Sequence, residues 1–312
     1  MAHYDLVVLG SGPAGRRAAV QAAKLGRSVL VIDDRSRVGG VSVHTGTIPS
    51  KTLRETALNL SGWRERGFYG RSHRLKHEIE ASDLSHRMAK TLEHEIAVLE
   101  HQFARNGVKV VSGHGTFVDP HTIAVTRAGS DSEARQLITA AKVLIAVGTR
   151  PYRPAGIPFN ATSVLDSDDF ALAPRLPRSL TVVGGGVIGL EYATIFSALD
   201  VPVTLIEPRP QLLEFIDGEV TEHLTYLMRD RGMVLRLGSE VERIRFSASG
   251  WPVCVLADGR QASSEVVLYA AGRVGATAEL NLAACGLTPD PRGRLTVNPD
   301  SFQTEVPHIY AA

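Results

Sequence analysis

The sequence predicts an α/β fold built around two strand–helix–strand units, and three observations carry that expectation. Short apolar runs alternate with helix-patterned stretches. A glycine-rich turn follows the first strand of each unit, and an acidic residue closes the second. The chain has 312 residues, enough for about two domains at roughly 150 residues each.

The elements follow in order. Residues 4–9 (YDLVVL) form a continuous apolar run suited to a strand buried on both faces. Gly10-Ser11-Gly12-Pro13-Ala14-Gly15 comes next, then an alanine-rich helix to Leu25 that closes at Gly26. Residues 28–32 form the second strand, ending at Asp33. From Ser82 to Asn106, the residues Leu84, Met88, Leu92, Ile96, Leu99 and Phe103 recur every three or four positions, the stripe of an amphipathic helix. Its His86, His94 and His101 share another face and read as solvated side chains, so no metal site is expected. A strand at 108–113, a turn at Asp119-Pro120-His121 and an apolar run at 143–147 follow. Pro151, Pro154 and Pro158 mark a linker. The second unit begins at Leu180, and 242–270 reads as a small antiparallel meander turning at Asp258-Gly259.

Composition narrows the function. Lys plus Arg number 34 and Asp plus Glu 33, a balance that argues against nucleic acid as the main partner. Hydrophobic residues make up 44% and charged residues 21%, as in a globular protein. No apolar run is long enough to span a bilayer, and the start MAHYDLVVLG lacks the pattern of a secretory signal. Cys254 and Cys285 form no CxxC pair, so a reducing, cytoplasmic setting is expected.

The strongest signal is duplicated. Gly184-Gly185-Gly186-Val187-Ile188-Gly189 follows an apolar strand and opens the helix that carries Glu191, and the next strand ends at Glu207. In each copy the acid stands 23 positions after the first glycine. The first glycine permits a tight turn, the second lets backbone approach a pyrophosphate, and the third lets helix and strand pack closely. Free N–H groups at the helix start attract the phosphates, and the acid accepts from a ribose diol. Two such fingerprints imply two Rossmann-type domains and two dinucleotides, with electrons passing between a flavin and a nicotinamide.

With both fingerprints in place, residues 39–54 (GGVSVHTGTIPSKTLR) resemble the flavoprotein pyridine nucleotide-disulfide reductase family. Members typically carry two cysteines in this segment; here those positions are Ser42 and Thr47, and neither hydroxyl can become the thiolate of disulfide exchange. The stretch Thr45 to Arg54 resembles the branch that lacks the pair, the Si-specific soluble transhydrogenases. So do GSGPAG, GHGTFVDPHT, VLDSD, GVIGLEYA, YAAGR and SFQTEVPHIYA, which together span nearly the whole chain.

That resemblance implies a fold with the NAD(P) domain inserted in the FAD domain: 1–155 as the first part of the FAD domain, 156–275 as the NAD(P) domain, and 276–312 as the return. It implies that Gly10, Gly12, Pro13, Ala14 and Gly15 hold FAD, with Asp33 and its neighbour Asp34 at the ribose. Gly39, Gly40, Ser42 and Thr45 line the flavin approach, the backbone at His114-Gly115 meets the adenine, and Gly148 lies on the crossing strand. Gly184, Gly186, Val187, Ile188, Gly189 and Glu207 hold NAD(H) or NADP(H), and Gly272 lies where the chain passes back. Lys51 is implied beside the flavin N5, oriented by Glu191. The implied reaction is ping-pong: NADPH or NADH gives hydride to the flavin and leaves, and the other coenzyme, oxidised, removes it. Glu207 suits a ribose 2′-hydroxyl and Arg209 a 2′-phosphate.

In the family, the segment ending here at Pro307-His308-Ile309-Tyr310-Ala311-Ala312 leads into Gly-Asp, a helix facing the flavin and a dimerisation domain. The expectation for a chain without them is weakened FAD retention, a largely monomeric state and poor catalysis. Two other readings remain at this point: a non-catalytic nucleotide-binding remnant, and a thioredoxin-reductase-like flavoprotein, which would need a CxxC that the chain lacks.

Overall fold

The computed structural model describes residues 2–70, 72–127, 135–171 and 176–312. They fall into two compact units, one within Met1–His44, Leu92–Arg150 and Val274–Ala312, the other within Thr45–Thr91 and Pro151–Arg273.

The first unit is built on a sheet in the order Lys109–Ser112, Val29–Asp33, Ala2–Leu9, Arg135–Ile145, Thr122–Thr126 and His114–Asp119. The first four strands run parallel and the last two are antiparallel additions. Strand Arg135–Ile145 changes partner along its length. It pairs with Thr122–Thr126 over 135–139 and with the parallel strand Ile309–Ala311 over 143–145. Val7, Leu9, Leu30, Ile32, Phe117, Ile123 and Val143 lie in its core. Strand Val29–Asp33 is buried at every position, as its unbroken apolar run predicts.

The second unit has a wholly parallel sheet, ordered Val234–Leu237, Val203–Glu207, Leu180–Val183, Val266–Tyr269 and Val164–Asp166. Beside it is an antiparallel meander of Val241–Phe246, Pro252–Leu256 and Gln261–Ser263. The meander is shorter than 242–270. Val266–Tyr269 leaves it for the parallel sheet, because its apolar residues bury between Leu180–Val183 and Val164–Asp166.

The stretch 45–91 also departs from the sequence boundaries, which place it in the first domain segment. Helix Thr47–Leu60 buries Leu53 and Ala57, and Leu84 joins them, in the same core as Leu190, Ala193, Phe196 and Leu205. Burying an aliphatic side chain contributes about 1.5–3 kcal/mol, so these contacts assign the stretch to the second unit.

The long helix is Ala81–Arg105. Leu84, Ile96, Leu99 and Phe103 are buried, Met88 and Leu92 partly so, and His86, His94 and His101 are exposed. Among the described residues, no group of three or more His, Cys, Asp or Glu is placed to hold a metal, and no helix is long and apolar enough to cross a membrane.

Candidate nucleotide-binding site

Each unit contains a cradle built in the same way. In the first, the amide of Gly10 donates to Ile32 O at 2.7 Å, and that of Ala146 donates to Leu9 O at 2.8 Å. In the second, Gly184 donates to Ile206 O at 2.8 Å and Ala270 to Val183 O at 2.7 Å. Gly10 and Gly184 have φ of 101° and 109°, a region that favours glycine. A Cβ on either would meet a neighbouring carbonyl, Ala146 O at 2.3 Å or Ala270 O at 2.6 Å. The third glycines, Gly15 and Gly189, have no room either: a Cβ there would lie 2.1 Å from Gly10 O and 2.0 Å from Gly184 O.

The middle glycines differ. Gly12 (φ −61°, ψ −178°) and Gly186 (φ −74°, ψ 177°) have backbone angles open to any residue, and an added Cβ would meet nothing within 4 Å. Neither strain nor packing within the chain requires glycine there. What remains is open space over the start of a helix.

Those helices, Pro13–Lys24 and Val187–Ala198, have no side-chain cap, so their leading N–H groups keep their donors for a ligand. Their first ladder bonds are Arg16 to Gly12 O and Leu190 to Gly186 O. The second helix therefore offers Val187, Ile188 and Gly189, while Pro13 removes one donor from the first.

The acids sit at the strand ends as the spacing predicts. Asp33 is 5% exposed and Glu207 2%. Asp33 Oδ2 accepts from the Ser11 amide at 2.6 Å and from the Ser11 hydroxyl, while Oδ1 accepts from the Arg35 amide at 3.0 Å. Ser11 Oγ in turn accepts from the Gly39 amide at 2.9 Å. This brings the Gly39-Gly40 turn against the cradle, where a Cβ on Gly40 would meet Gly12 Cα at 2.7 Å. Ser42 Oγ donates to Gly39 O, and Asp34 is exposed. Ser11 escaped the sequence reading because the variable position of a glycine motif carries no periodic signal.

Glu207 Oε2 accepts from the Gly185 amide at 2.5 Å, and Oε1 from the Arg209 amide at 3.0 Å. The Arg209 guanidinium covers both oxygens, Nε to Oε1 at 2.7 Å and Nη2 to Oε2 at 3.1 Å. Burial works to raise the Glu207 pKa, but these charge-assisted bonds outweigh it and hold the carboxyl below its ordinary value. A depressed folded pKa stabilises above the unfolded value of 4.5, and the contribution fades as pH falls through the folded value. Urea midpoints measured from pH 7 down to 3 should therefore drop below about 4.5, with a shallower drop in Arg209→Ala. Equal slopes would show that the pair does not couple to folding.

The remaining candidates divide. Lys51 Nζ donates to Glu191 Oε1; the two side chains are 58% and 16% exposed. Helix Thr47–Leu60 supplies the lysine and Val187–Ala198 the glutamate. Thr45 Oγ1 is buried with no hydrogen-bond partner among the described residues. Gly148 (φ 68°) and Gly272 (φ 115°) adopt glycine backbone with open space beside them. Gly115 is explained by packing, since a Cβ would press on Leu9 Cδ2 at 2.9 Å. Two ion-pair groups lay outside the sequence reading: Arg153 with Asp166 and Asp169, and Arg273 with Asp168.

These features fit FAD and a nicotinamide dinucleotide: open N-terminal cradles and a buried acid at the end of the second strand of each. The pyridine nucleotide-disulphide oxidoreductase family matches residues 4–312. The chain belongs to that family. A soluble pyridine nucleotide transhydrogenase of Mycobacterium bovis is 46% identical over 314 residues, covering 100% of this chain and 66% of the relative. One of Colwellia psychrerythraea is 38% identical over 308 residues, with 99% and 65% covered. Among solved structures, LpdA of Mycobacterium tuberculosis is similar with a TM-score of 0.88 at 27% identity, over 100% of this chain and 67% of that one. The HOCl-induced flavoprotein disulfide reductase RclA of Escherichia coli gives 0.84 at 26%, over 99% and 65%. This chain thus spans a little under two thirds of the length of these two curated relatives, 66% and 65%.

The disulphide of the family's name has no counterpart at 42 and 47, which are Ser and Thr. Cys254 and Cys285 are buried and free, one in each unit. Burial pushes the Cys254 thiol up to about 12 and raises that of Cys285. Neither is a thiolate near neutral pH.

Proposed function

We propose that this chain carries the nucleotide-binding machinery of a transhydrogenase that moves hydride between NADPH and NAD⁺ by way of FAD. The observation that carries this reading is the absence of usable sulfur. Positions 42 and 47 hold hydroxyls and Cys254 and Cys285 are buried thiols, so these residues offer the hydride no thiol pair, and in this reading it returns to a second nicotinamide. The 46% identity with a soluble transhydrogenase supports the same direction.

In this reading the first unit holds FAD: the amides of Ala14 and Gly15 face its pyrophosphate, Asp33 its ribose, and Gly39-Gly40 leaves room beside Gly12. Bound there, FAD supplies a two-electron acceptor that takes up hydride and gives it back. The second cradle holds the coenzymes in turn, reduced first and oxidised second, by the amides of Val187, Ile188 and Gly189. By the family resemblance, Lys51 would supply the fixed positive charge that favours reduced flavin. Glu191 aims that ammonium, and Thr45 offers its unpartnered hydroxyl.

The test mixes the chain with excess FAD, NADPH and thio-NAD⁺ and follows the reduced analogue. Its accumulation, with parallel double-reciprocal lines as both nucleotides vary, is the expected result. A flavin spectrum unmoved by either NADPH or NADH overturns the proposal.

A further inference from the structure

The two acids occupy matching positions, yet their surroundings are unlike. A carboxylate offers about four lone-pair positions. Glu207 has four donors on them: the amides of Gly185 and Arg209, and Nε and Nη2 of Arg209. Asp33 has three, all from Ser11 and the Arg35 amide, and among the described residues no guanidinium covers it. Asp33 can take a ribose hydroxyl as it stands. Glu207 cannot until Arg209 withdraws.

Only the guanidinium is free to withdraw. The Arg209 backbone is pinned by the Gly238 amide on its carbonyl at 3.0 Å, and that of Glu207 by the Ser239 amide at 3.0 Å. The Arg209 side chain is 43% exposed. Glu214, exposed, also acts on it electrostatically and gives the cation a second acidic neighbour.

Resting on the reading of the second cradle as the coenzyme site, we infer that Arg209 is a two-position side chain that levels the affinities of that site for NAD(H) and NADP(H). A ribose 2′-hydroxyl gains Glu207 only by displacing Arg209, which weakens the hold on NAD(H). A 2′-phosphate draws the guanidinium away and pairs with it through the planar fork, while Glu207 keeps its two amide donors. Neither coenzyme enjoys a pre-formed ribose site, so neither is strongly preferred.

ADP-ribose and its 2′-phosphate are suitable probes, because they bind without redox chemistry. Titrated calorimetrically into the full chain, both are expected to bind with affinities within about tenfold of each other. Arg209→Ala should bind ADP-ribose several-fold tighter and the 2′-phosphate about 10- to 100-fold weaker. Arg209→Lys, which keeps the charge without the fork, should fall between. Parallel changes for both probes in Arg209→Ala, or no change, would overturn the inference while leaving the coenzyme site in place. Failure of wild-type chain to bind either probe would remove the site and the inference together.

Discussion

Gly186→Val is expected to leave the chain folded and to weaken its affinity for nicotinamide coenzymes at least about 100-fold, whereas Gly189→Val, three residues on, should destabilise the fold. At Gly186 the backbone is ordinary and the added Cβ meets nothing. The folding cost is that of a poor N-cap, about 1 kcal/mol. The isopropyl group would then fill the space over the amides of Val187, Ile188 and Gly189. Each charge-assisted bond lost there is worth about 1.5–3 kcal/mol, so a loss of at least about 100-fold in affinity follows. At Gly189 a Cβ would stand 2.0 Å from Gly184 O, and relief means prising the helix from the strand. Overpacking costs about 1–3 kcal/mol and occasionally more, against a total stability of about 5–15 kcal/mol. Thermal melts and NADPH fluorescence titrations on both variants separate the effects. Wild-type NADPH binding by Gly186→Val would mean that no phosphate rests on that helix. Gly12 and Gly15 should repeat the contrast with FAD as ligand.

That contrast shows what was legible in the sequence. The glycines, the strands around them and the acids were readable because each role is local: a turn, a close approach, a helix start. The partners reached through tertiary structure were not. Position 11 and position 185 are the same variable site of the motif. One is a serine that ties Asp33 to Gly39, and the other a glycine on which a Cβ would meet Leu212 Cδ2 at 2.6 Å. Nothing in the pattern separates them. Arg209 was visible as a cation two residues beyond an acid, but its closure over that acid depends on side-chain geometry. Val266–Tyr269 suits a meander or a parallel sheet equally well, and only its buried neighbours decide. Likewise, helix Thr47–Leu60 buries Leu53 and Ala57, and no local pattern says which unit receives them.

Lys51→Met is expected to slow flavin reduction by about 100- to 1,000-fold, the usual cost of removing one preorganised charge or donor, with little effect on folding. The Lys51 side chain is 58% exposed, and an ion pair so open to solvent contributes about 0–1 kcal/mol. Stability is therefore a weak reason for the pair. Its geometry suits another use: Glu191 is 16% exposed on a packed helix and holds the ammonium in one place. Removing the carboxylate in Glu191→Gln leaves the charge but frees its position, so that variant should lose less than Lys51→Met. Two readouts set an electrostatic role apart from a structural one. The flavin midpoint potential, measured by dye equilibration, should fall in Lys51→Met, because the reduced, more negative state loses its cation. NADPH affinity at the second cradle should stay unchanged, because Lys51 is not among the groups assigned there. An unaltered potential together with normal reduction kinetics would assign Lys51 to the surface and leave the hydride path without its cation.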